Sequence, residues 1–450
     1  MKYRVVHSQD VFDVMRFDGS YHNADANIYD AVIKKHSSHN LSYYCSEIFT
    51  SGRNKRVYTR PEFGYPFLSN SDVVSSNPFM SCKYSSKKYG FDETAVLKAG
   101  MIVTGRVGAI GQTAFIPAYL EKAKAMGSDN IIRISVKSSE RNGYIYAYLA
   151  SKMGNLSFWK HATGGVQPFI TDAMVASIPI PSFPEDFQNK INDLVLESAR
   201  LREEAASSLN EAHSIIEGIL RIRNNKTNNK VAISSIAKDA MIRFEASYYL
   251  SEAMSYENLI KTFGYHTLDS ICSRIFGGGR ARRYYTKDRS RGVPYLSNSD
   301  LGKANPLRSC KYSLKSKVDV SSILRKGMIV TGRVGAIGQT QYIGESFEKM
   351  QTMGSDNVIR IVPKEHSGFL FAYLSSKVGN CMFWKYATGG VQPFISSEMV
   401  GQILVPILPN EIIEKCDALI KNYSDSIELA SITEDLAISL VEQEIEKWNK

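Results

Sequence analysis

The chain lacks the short motifs that mark common enzymes. It contains no GxSxG, HExxH, GxxxxGK(S/T) or (D/N)PP(Y/F) segment and no clear PD…(D/E)xK pattern. Those motifs are the usual signatures of serine hydrolases, zinc proteases, P-loop NTPases, amino-methyltransferases and many nucleases. In a chain of 450 residues, their absence favours a recognition protein over an enzyme.

Long apolar runs are also missing. No apolar run approaches the roughly 18 residues that a membrane helix needs. The N-terminus has no apolar core of the kind that secretory signals carry. We therefore expect a cytoplasmic protein with no membrane partner.

Cysteine and histidine are too sparse and too scattered to predict a metal site. The six cysteines show no CxxC spacing and have no matching histidine pairs among the eight histidines. Cys45 aligns with Cys272, and Cys82 with Cys310, in a repeat described next. We interpret these positions as small, buried, reduced thiols of a shared fold.

The dominant feature of the sequence is an internal duplication. GMIVTGRVGAIGQT occurs identically at residues 100–113 and 327–340, MGSDN at 126–130 and 353–357, and ATGGVQPFI at 162–170 and 387–395. The offset between the copies stays at 225 to 228 residues. Solenoid repeats have periods of only about 20–50 residues. The pattern therefore predicts two copies of one whole domain.

The predicted fold class is α+β, with two similar mixed α/β domains and two long helices. We place the domains at residues 1–184 and 230–409, and helical segments at 185–229 and 410–450. Alternating β-branched stretches predict strands at 101–104 and 131–136 and at their counterparts 328–331 and 358–362, in a largely antiparallel sheet. Amphipathic helices are predicted at 144–153 and 369–378.

The two long helices carry narrow apolar stripes. Within residues 185–223 and 410–448, apolar residues mostly step by three and four, as in a helix–helix seam. Because each helix follows an equivalent domain, we expect the helices to pair antiparallel with pseudo-two-fold symmetry. The alternative is that each helix packs only on its own domain.

The net charge of +10 favours a polyanionic partner. Basic residues cluster with tyrosine at equivalent places in the two copies, and such clusters suit phosphate and base contacts. A solvated loop without a ligand is the alternative. The candidate DNA-contacting residues of these clusters are Arg53, Lys55, Arg56 and Tyr58 in the first copy and Arg280, Arg282, Arg283 and Tyr285 in the second.

Two repeated glycine turns supply further candidates. GRVGAIG is GxxGxxG rather than GxGxxG, and the residues after it do not predict a helix, so it is not a dinucleotide-binding loop. It is either a structural turn or a DNA-facing loop from which Arg106 and Arg333 project. Glutamine can read adenine, which makes Gln112, Gln167, Gln339 and Gln392 candidate base readers. The SNSD segments at residues 69–72 and 297–300 predict capped turns.

Taken together, these features resemble the specificity (S) subunit of type I restriction–modification systems. The likeness covers essentially the whole chain: an Arg-Phe-Asp/Glu…Tyr opening, the LSNSD strand end, the two glycine turns, and the order domain–helix–domain–helix. It implies a non-catalytic protein that recognises a bipartite site in double-stranded DNA, one half through each domain. It also implies two methyltransferase (M) subunits and a restriction (R) subunit as partners. S-adenosylmethionine and ATP would then bind only to those partners.

The sequence departs from this family in one respect and leaves two alternatives open. Family members usually have two dissimilar recognition domains, whereas these copies are very alike, which predicts related half-sites. The alternatives are a pseudo-symmetric scaffold or regulator that binds protein rather than DNA, and an enzyme with an unfamiliar site.

Overall fold

The computed structural model divides the chain into two compact units. It describes residues 5–22, 25–36, 39–53, 55–221, 232–236, 243–249, 252–279 and 282–448. Unit 1 comprises Met1–Glu203 and Leu429–Lys450, and unit 2 comprises Glu204–Glu428. Each unit therefore contains one copy of the repeat and a part of each long helix.

Among the described residues, each unit has ten strands in the same order. Those of unit 1 are β1 (His39–Asn40), β2 (Cys45–Thr50), β3 (Tyr58–Thr59), β4 (Gly64–Leu68), β5 (Lys83–Ser86), β6 (Ile102–Gly105), β7 (Thr113–Phe115), β8 (Met126–Gly127), β9 (Ile131–Val136) and β10 (Pro179–Ile180). Those of unit 2 are β11 (Tyr265–Thr267), β12 (Cys272–Gly277), β13 (Tyr285–Thr286), β14 (Gly292–Leu296), β15 (Lys311–Leu314), β16 (Ile329–Gly332), β17 (Thr340–Tyr342), β18 (Met353–Gly354), β19 (Val358–Pro363) and β20 (Leu404–Pro406).

Helices flank these strands. The first ten are α1 (Ser8–Phe12), α2 (Gly19–His22), α3 (Ala26–Lys35), α4 (Leu41–Tyr44), α5 (Asn70–Val73), α6 (Ala118–Lys122), α7 (Ser139–Ala150), α8 (Lys152–His161), α9 (Asp172–Ala176) and α10 (Glu185–Ile219). The others are α11 (Ile233–Ile236), α12 (Ala246–Tyr249), α13 (Glu252–Phe263), α14 (Leu268–Ile271), α15 (Pro306–Ser309), α16 (Glu345–Lys349), α17 (Ser367–Ser375), α18 (Lys377–Tyr386), α19 (Ser397–Gly401) and α20 (Asn410–Trp448).

The sheets of the two copies have the same topology. One four-stranded sheet runs β2-β9-β6-β7 in unit 1 and β12-β19-β16-β17 in unit 2, and every neighbouring pair in it is antiparallel. The other runs β3-β5-β4-β8 and β13-β15-β14-β18, with one parallel pair at its edge. Even the register shift after Cys45 recurs after Cys272. The predicted mixed fold with a largely antiparallel sheet is confirmed.

The predicted amphipathic helices at 144–153 and 369–378 were wrong in both boundary and character. In each copy two helices meet at a serine: Ser151 separates α7 from α8, and Ser376 separates α17 from α18. Each serine caps the next helix, with its hydroxyl accepting from the N–H of Gly154 or Gly379. Residues 144–149 of α7 are all buried. This part of the helix therefore has no polar side facing solvent and is not amphipathic.

The long helices contact each other inside each unit. In unit 1 the ring of Trp448 lies 4.7 Å from that of Phe183, just before α10 begins. Further along α10, the Ser198 hydroxyl donates to the carbonyl of Ala430 (2.8 Å), eighteen residues before Trp448. The α10 and α20 segments of unit 1 therefore run antiparallel, as predicted. In unit 2, Lys415 of α20 pairs with Glu211 of α10 at 2.9 Å.

Each domain also packs against both helices. One apolar core joins Ile191 and Val195 of α10, Val441 and Ile445 of α20, and the first domain. A second core joins the other parts of α10 and α20 to the second domain. The alternative in which each helix packs only on its own domain was wrong. Among the described helices, none is both long enough and apolar enough to cross a membrane.

Candidate nucleic-acid interface

Three repeated loops meet at one edge of each domain. In the first copy the N–H of Ile170 donates to the carbonyl of Arg106 (3.0 Å), which joins the TGGVQPFI segment to the GRVGAIG turn. The Asn70 amide of the SNSD turn donates to the carbonyl of Val107 (3.4 Å). The second copy repeats both bonds, from Ile395 to Arg333 (2.9 Å) and from Asn298 to Val334 (2.6 Å). Motifs up to a hundred residues apart therefore form one surface.

The GRVGAIG turn requires glycine for conformational and steric reasons. Gly108 and Gly111 both have φ of +73°, a region that L side chains rarely adopt. A Cβ on Gly105 would lie 2.5 Å from the carbonyl oxygen of Ala109. The turn is tight, and no helix begins at it. Arg106 stands at its start and is half-buried.

The TGGVQPFI segment forms a narrow hairpin whose tip faces solvent. Thr163 and Phe169 exchange backbone hydrogen bonds of 2.8 and 2.9 Å across it. Gly164 has φ of +97°, and Val166 and Gln167 at the tip are exposed. All four glutamines predicted to read bases are exposed: Gln112, Gln167, Gln339 and Gln392.

The SNSD segments are capped turns, as predicted. The N–H and hydroxyl of Ser69 both donate to the Asp72 carboxylate, at 2.8 and 2.6 Å. Ser297 and Asp300 repeat the arrangement at 3.0 and 2.6 Å. These bonds belong to a capping box, and they fix the turn that carries Asn70 or Asn298 towards the glycine turn.

The basic clusters are exposed, and carboxylates from a distant motif hold them in place. Arg53, Lys55, Arg56 and Tyr58 are all exposed. Asp129 of MGSDN is buried and pairs with Arg56 and, at 3.2 Å, with Arg53. In the second copy Arg282, Arg283 and Tyr285 are exposed, and Asp356 pairs with Arg283 at 2.5 Å. Arg280 lies outside the described residues.

The aspartate pairs were not predicted from the sequence. Asp129 and Arg56 are 73 positions apart, so no local spacing connects them. Because the pair occupies one edge of the guanidinium, the arginine is oriented while the rest of its donors stay available. In the sequence, only the joint repetition of MGSDN and the basic cluster could have indicated these pairs.

A fully buried arginine supports each MGSDN loop. The Arg133 guanidinium donates to the carbonyls of Gly127 (2.6 Å), Ala95 (3.0 Å) and Ile131 (2.9 Å). Arg360 makes the corresponding bonds to Gly354 (2.5 Å) and Val358 (2.8 Å). Burial lowers the pKa of each guanidinium to about 10, so both remain charged at neutral pH. From the sequence, Arg133 and Arg360 were recognisable only as charged residues within predicted strands.

The Arg-Phe-Asp/Glu opening of each copy has a structural role. The Arg16 guanidinium donates to the carbonyls of His161 (3.0 Å) and Ala162 (3.2 Å), at the end of α8. Arg243 does the same at the end of α18, donating to Tyr386 and Ala387 at 2.9 Å each. A cation at a helix C-terminus satisfies its free carbonyls. This contact fixes the point at which the TGGVQPFI hairpin begins.

Charge is strongly segregated along the chain. Residues 45–137 carry 13 basic and seven acidic residues, and residues 272–364 carry 18 and six, so their formal net charges are +6 and +12. By contrast, α10 has eight acidic and three basic residues and α20 has ten and three. The sheet domains therefore attract a polyanion, whereas the long helices repel one.

Nothing in the described residues provides a metal centre, since no group of three or more His, Cys, Asp or Glu side chains is placed to hold an ion. The free cysteines Cys45, Cys272, Cys310 and Cys416 are buried. Burial raises the pKa of the Cys45 and Cys272 thiols to about 12, which keeps them protonated and unreactive.

Comparison with known proteins gave matches only among solved structures; no protein-family model and no curated protein matched. The chain is similar to the S subunit of a type I restriction–modification system from M. genitalium, with a TM-score of 0.36 and 12% identity over 92% of this chain and 95% of that one. It is also similar to an HsdS subunit from Thermoanaerobacter tengcongensis, with a TM-score of 0.28 and 15% identity over 92% and 96%. A third structure, from work on complex assembly in a type I system, gives 0.28 and 12% over 92% and 96%.

These structures come from the family that the sequence motifs resemble. With identities of 15% or less and TM-scores of 0.36 or less, however, the likeness does not by itself establish what this chain does. The function must be argued from its own residues.

Proposed function

We propose that this chain is the non-catalytic DNA-specificity subunit of a type I restriction–modification complex and recognises a bipartite site, one half with each sheet domain. The observation that carries the proposal is the duplicated edge. In both copies the same glycine turn, hairpin and basic cluster combine guanidinium groups with exposed glutamines on a basic domain. Two equivalent readers suit a target with two similar features.

The chemistry of each edge fits duplex DNA. Exposed arginines and lysines neutralise phosphates, and the planar guanidinium can also read guanine. Glutamine side chains on rigid turns can pair with adenine. The supports described above, from Arg133 to Asp129 to Arg56, hold the cluster in one geometry before DNA binds, which reduces the entropy lost on binding.

We assign residues 1–184 and 230–409 as the recognition domains and residues 185–229 and 410–450 as spacers. The spacer helices are acidic, and α20 exposes Leu429, Ile432 and Leu436 in unit 1. Their spacing of three and four places them on one helical face. An exposed apolar face within an acidic helix suits a protein rather than DNA. We therefore propose that methyltransferase subunits dock on the helices and that a restriction subunit joins them.

Under this proposal the chain itself needs no cofactor, because methyl transfer and ATP-driven cleavage belong to the partner subunits. The exposed apolar row on α20 also fits the alternative of a scaffold that binds only protein. The two proposals differ in whether changes at the sheet domains alter methylation.

The test is to coexpress the chain with its methyltransferase and map adenine methylation by long-read sequencing. We expect one interrupted motif with related halves, and Arg53→Ala with Lys55→Ala should reduce methylation of that motif at least tenfold. Lys35→Ala, an exposed change on α3 outside both the candidate DNA contacts and the spacer helices, is the control. Co-purification without a methylated motif would support the scaffold, and two unrelated half-sites would contradict the inferred relatedness.

A further inference from the structure

The two copies differ in charge at a group of positions beside the candidate interface. Residues 45–137 and 272–364 have the same length, yet their net charges are +6 and +12. The turns Pro61–Phe63 and Arg289–Arg291 match, so Pro61 corresponds to Arg289, Glu62 to Ser290 and Phe63 to Arg291. Ser75 corresponds to Lys303 and Met80 to Arg308, and the one extra residue of the second copy lies before Asp288.

In the second copy these cations come together. The Arg289 guanidinium donates to the carbonyl of Arg308 (2.9 Å) and lies 5.1 Å from the centre of the Tyr312 ring. Lys303 donates to the Asp300 carboxylate (3.0 Å) and to the Ser309 hydroxyl (3.1 Å), next to Arg308. Arg289 and Arg291 are exposed. We call Arg289, Lys303 and Arg308 the cationic cluster.

The cationic cluster is continuous with the three-loop edge. Asp300, which binds Lys303, is the capping residue of the SNSD turn. Asn298 of the same turn donates to Val334 in the GRVGAIG turn (2.6 Å). A duplex lying on the edge would therefore meet the cluster within the same surface.

The first copy keeps the backbone arrangement without the charges. Lys87 donates to the carbonyl of Glu62 (3.2 Å), as Lys315 does to that of Ser290 (2.9 Å). Asp72 receives the Ser81 hydroxyl at 3.0 Å in place of a lysine. Pro61, the counterpart of Arg289, is exposed and uncharged. The two copies therefore share this backbone arrangement and differ in the charges of the side chains that it carries.

We propose that the cationic cluster is an additional phosphate-contact site, which makes the second domain the stronger DNA-binding half of the protein. The inference rests on the proposed function and deepens it. Each phosphate that a cation neutralises releases condensed counterions, so affinity from this source falls as salt rises. Binding through the second domain is therefore tighter at low salt and more sensitive to salt than binding through the first.

The test measures binding of the chain, assembled with its methyltransferase, to a fluorescent 40-base-pair duplex of random sequence across a KCl series. Removing one phosphate contact lowers the slope of log affinity against log salt by about 0.9. We expect Arg289→Ala to lower the slope by about 1 and to weaken binding about fivefold at 100 mM KCl. Pro61→Arg, which gives the first copy the residue that the second copy has at the equivalent place, should change both quantities in the opposite direction.

Lys326→Ala is the matched control, because Lys326 is also a cation without a counterpart in the first copy but is already paired with Glu345 at 3.2 Å. It should leave the slope unchanged. Equal effects of Arg289→Ala and Lys326→Ala would overturn the inference, as would a Pro61→Arg variant that changes neither the slope nor the affinity. If the unaltered assembly binds neither this duplex nor its methylated motif, the proposed function itself fails. If it binds both but the variants change neither the affinity nor the salt slope, only the proposal for the cationic cluster is wrong.

Discussion

The two sheet domains share their interior and differ at their surface. Arg133 and Arg360 are both completely buried, and Asp129 and Asp356 both hold an arginine of the basic cluster. At exposed positions, by contrast, the residues differ in charge, as at Pro61 and Arg289. The comparison shows which contacts the shared framework needs and which positions are available to tune binding.

The buried ion pairs show where the framework tolerates change. Lys160 pairs with Asp30 in the first copy, and Lys385 pairs with Glu257 in the second. All four side chains are buried. The lysine is identical in the two copies, whereas the acid is aspartate in one and glutamate in the other, and the ion pair forms in both.

The largest expected effect comes from removing the buried arginine. Arg133→Ala and Arg360→Ala should each lower the free energy of unfolding by ~3–5 kcal/mol, since several carbonyls lose their donor and a cavity remains. Urea unfolding of the two variants checks this. Arg274→Ala, an exposed change in β12, should cost under about 0.5 kcal/mol. A copy that tolerates the loss would show that the two frameworks are not equivalent.

An intermediate effect is expected at the aspartates of MGSDN. Asp129→Asn and Asp356→Asn each release an arginine and remove a negative charge near the duplex. Binding to random DNA should therefore strengthen about threefold, while preference for the methylated motif falls about tenfold, equivalent to ~1.4 kcal/mol. Competition binding measures both quantities. If affinity for both DNAs fell together, the aspartates would have only a general structural role.

The smallest expected effect is a pH dependence that differs between the copies. His161, opposite Tyr386 in the alignment, is half-buried next to Lys160. Burial, aided by that lysine, lowers its pKa to about 4. A folded-state pKa below the unfolded value of about 6.5 means that the unfolded chain binds more protons between these values. Stability should therefore fall as pH drops from 6.5 towards 4.

His161→Tyr, which installs the residue of the second copy, should reduce that loss. Urea unfolding at pH 7, 5.5 and 4.5 measures it, with the exposed His266→Tyr as control. The remaining acid sensitivity should include His213 in unit 2, whose burial also lowers its pKa to about 4. An identical pH profile for His161→Tyr and the unaltered chain would show that His161 does not contribute to the loss of stability.

Much of the architecture was predictable because the repeat and the spacing of apolar residues along the chain indicate it. The repeat established two domains, and the start of α10 after Pro184 and the full extent of α20 followed from their narrow stripes. Strand β9 was predicted at its observed bounds. The α7–α8 break was missed, since every residue from 144 to 149 is buried and periodicity shows only where one face meets water.

The candidate site shows the same limit. The sequence by itself determined that there are two copies of one domain, which loops repeat, and which cations and glutamines those loops carry. Only the tertiary structure decided that Asp129 meets Arg56 across 73 positions, that Arg133 is buried, and that Arg289, Lys303 and Arg308 lie together. Spacing along a chain reports neighbours within one element, whereas ion pairs and clusters between elements depend on how strands and loops pack in space.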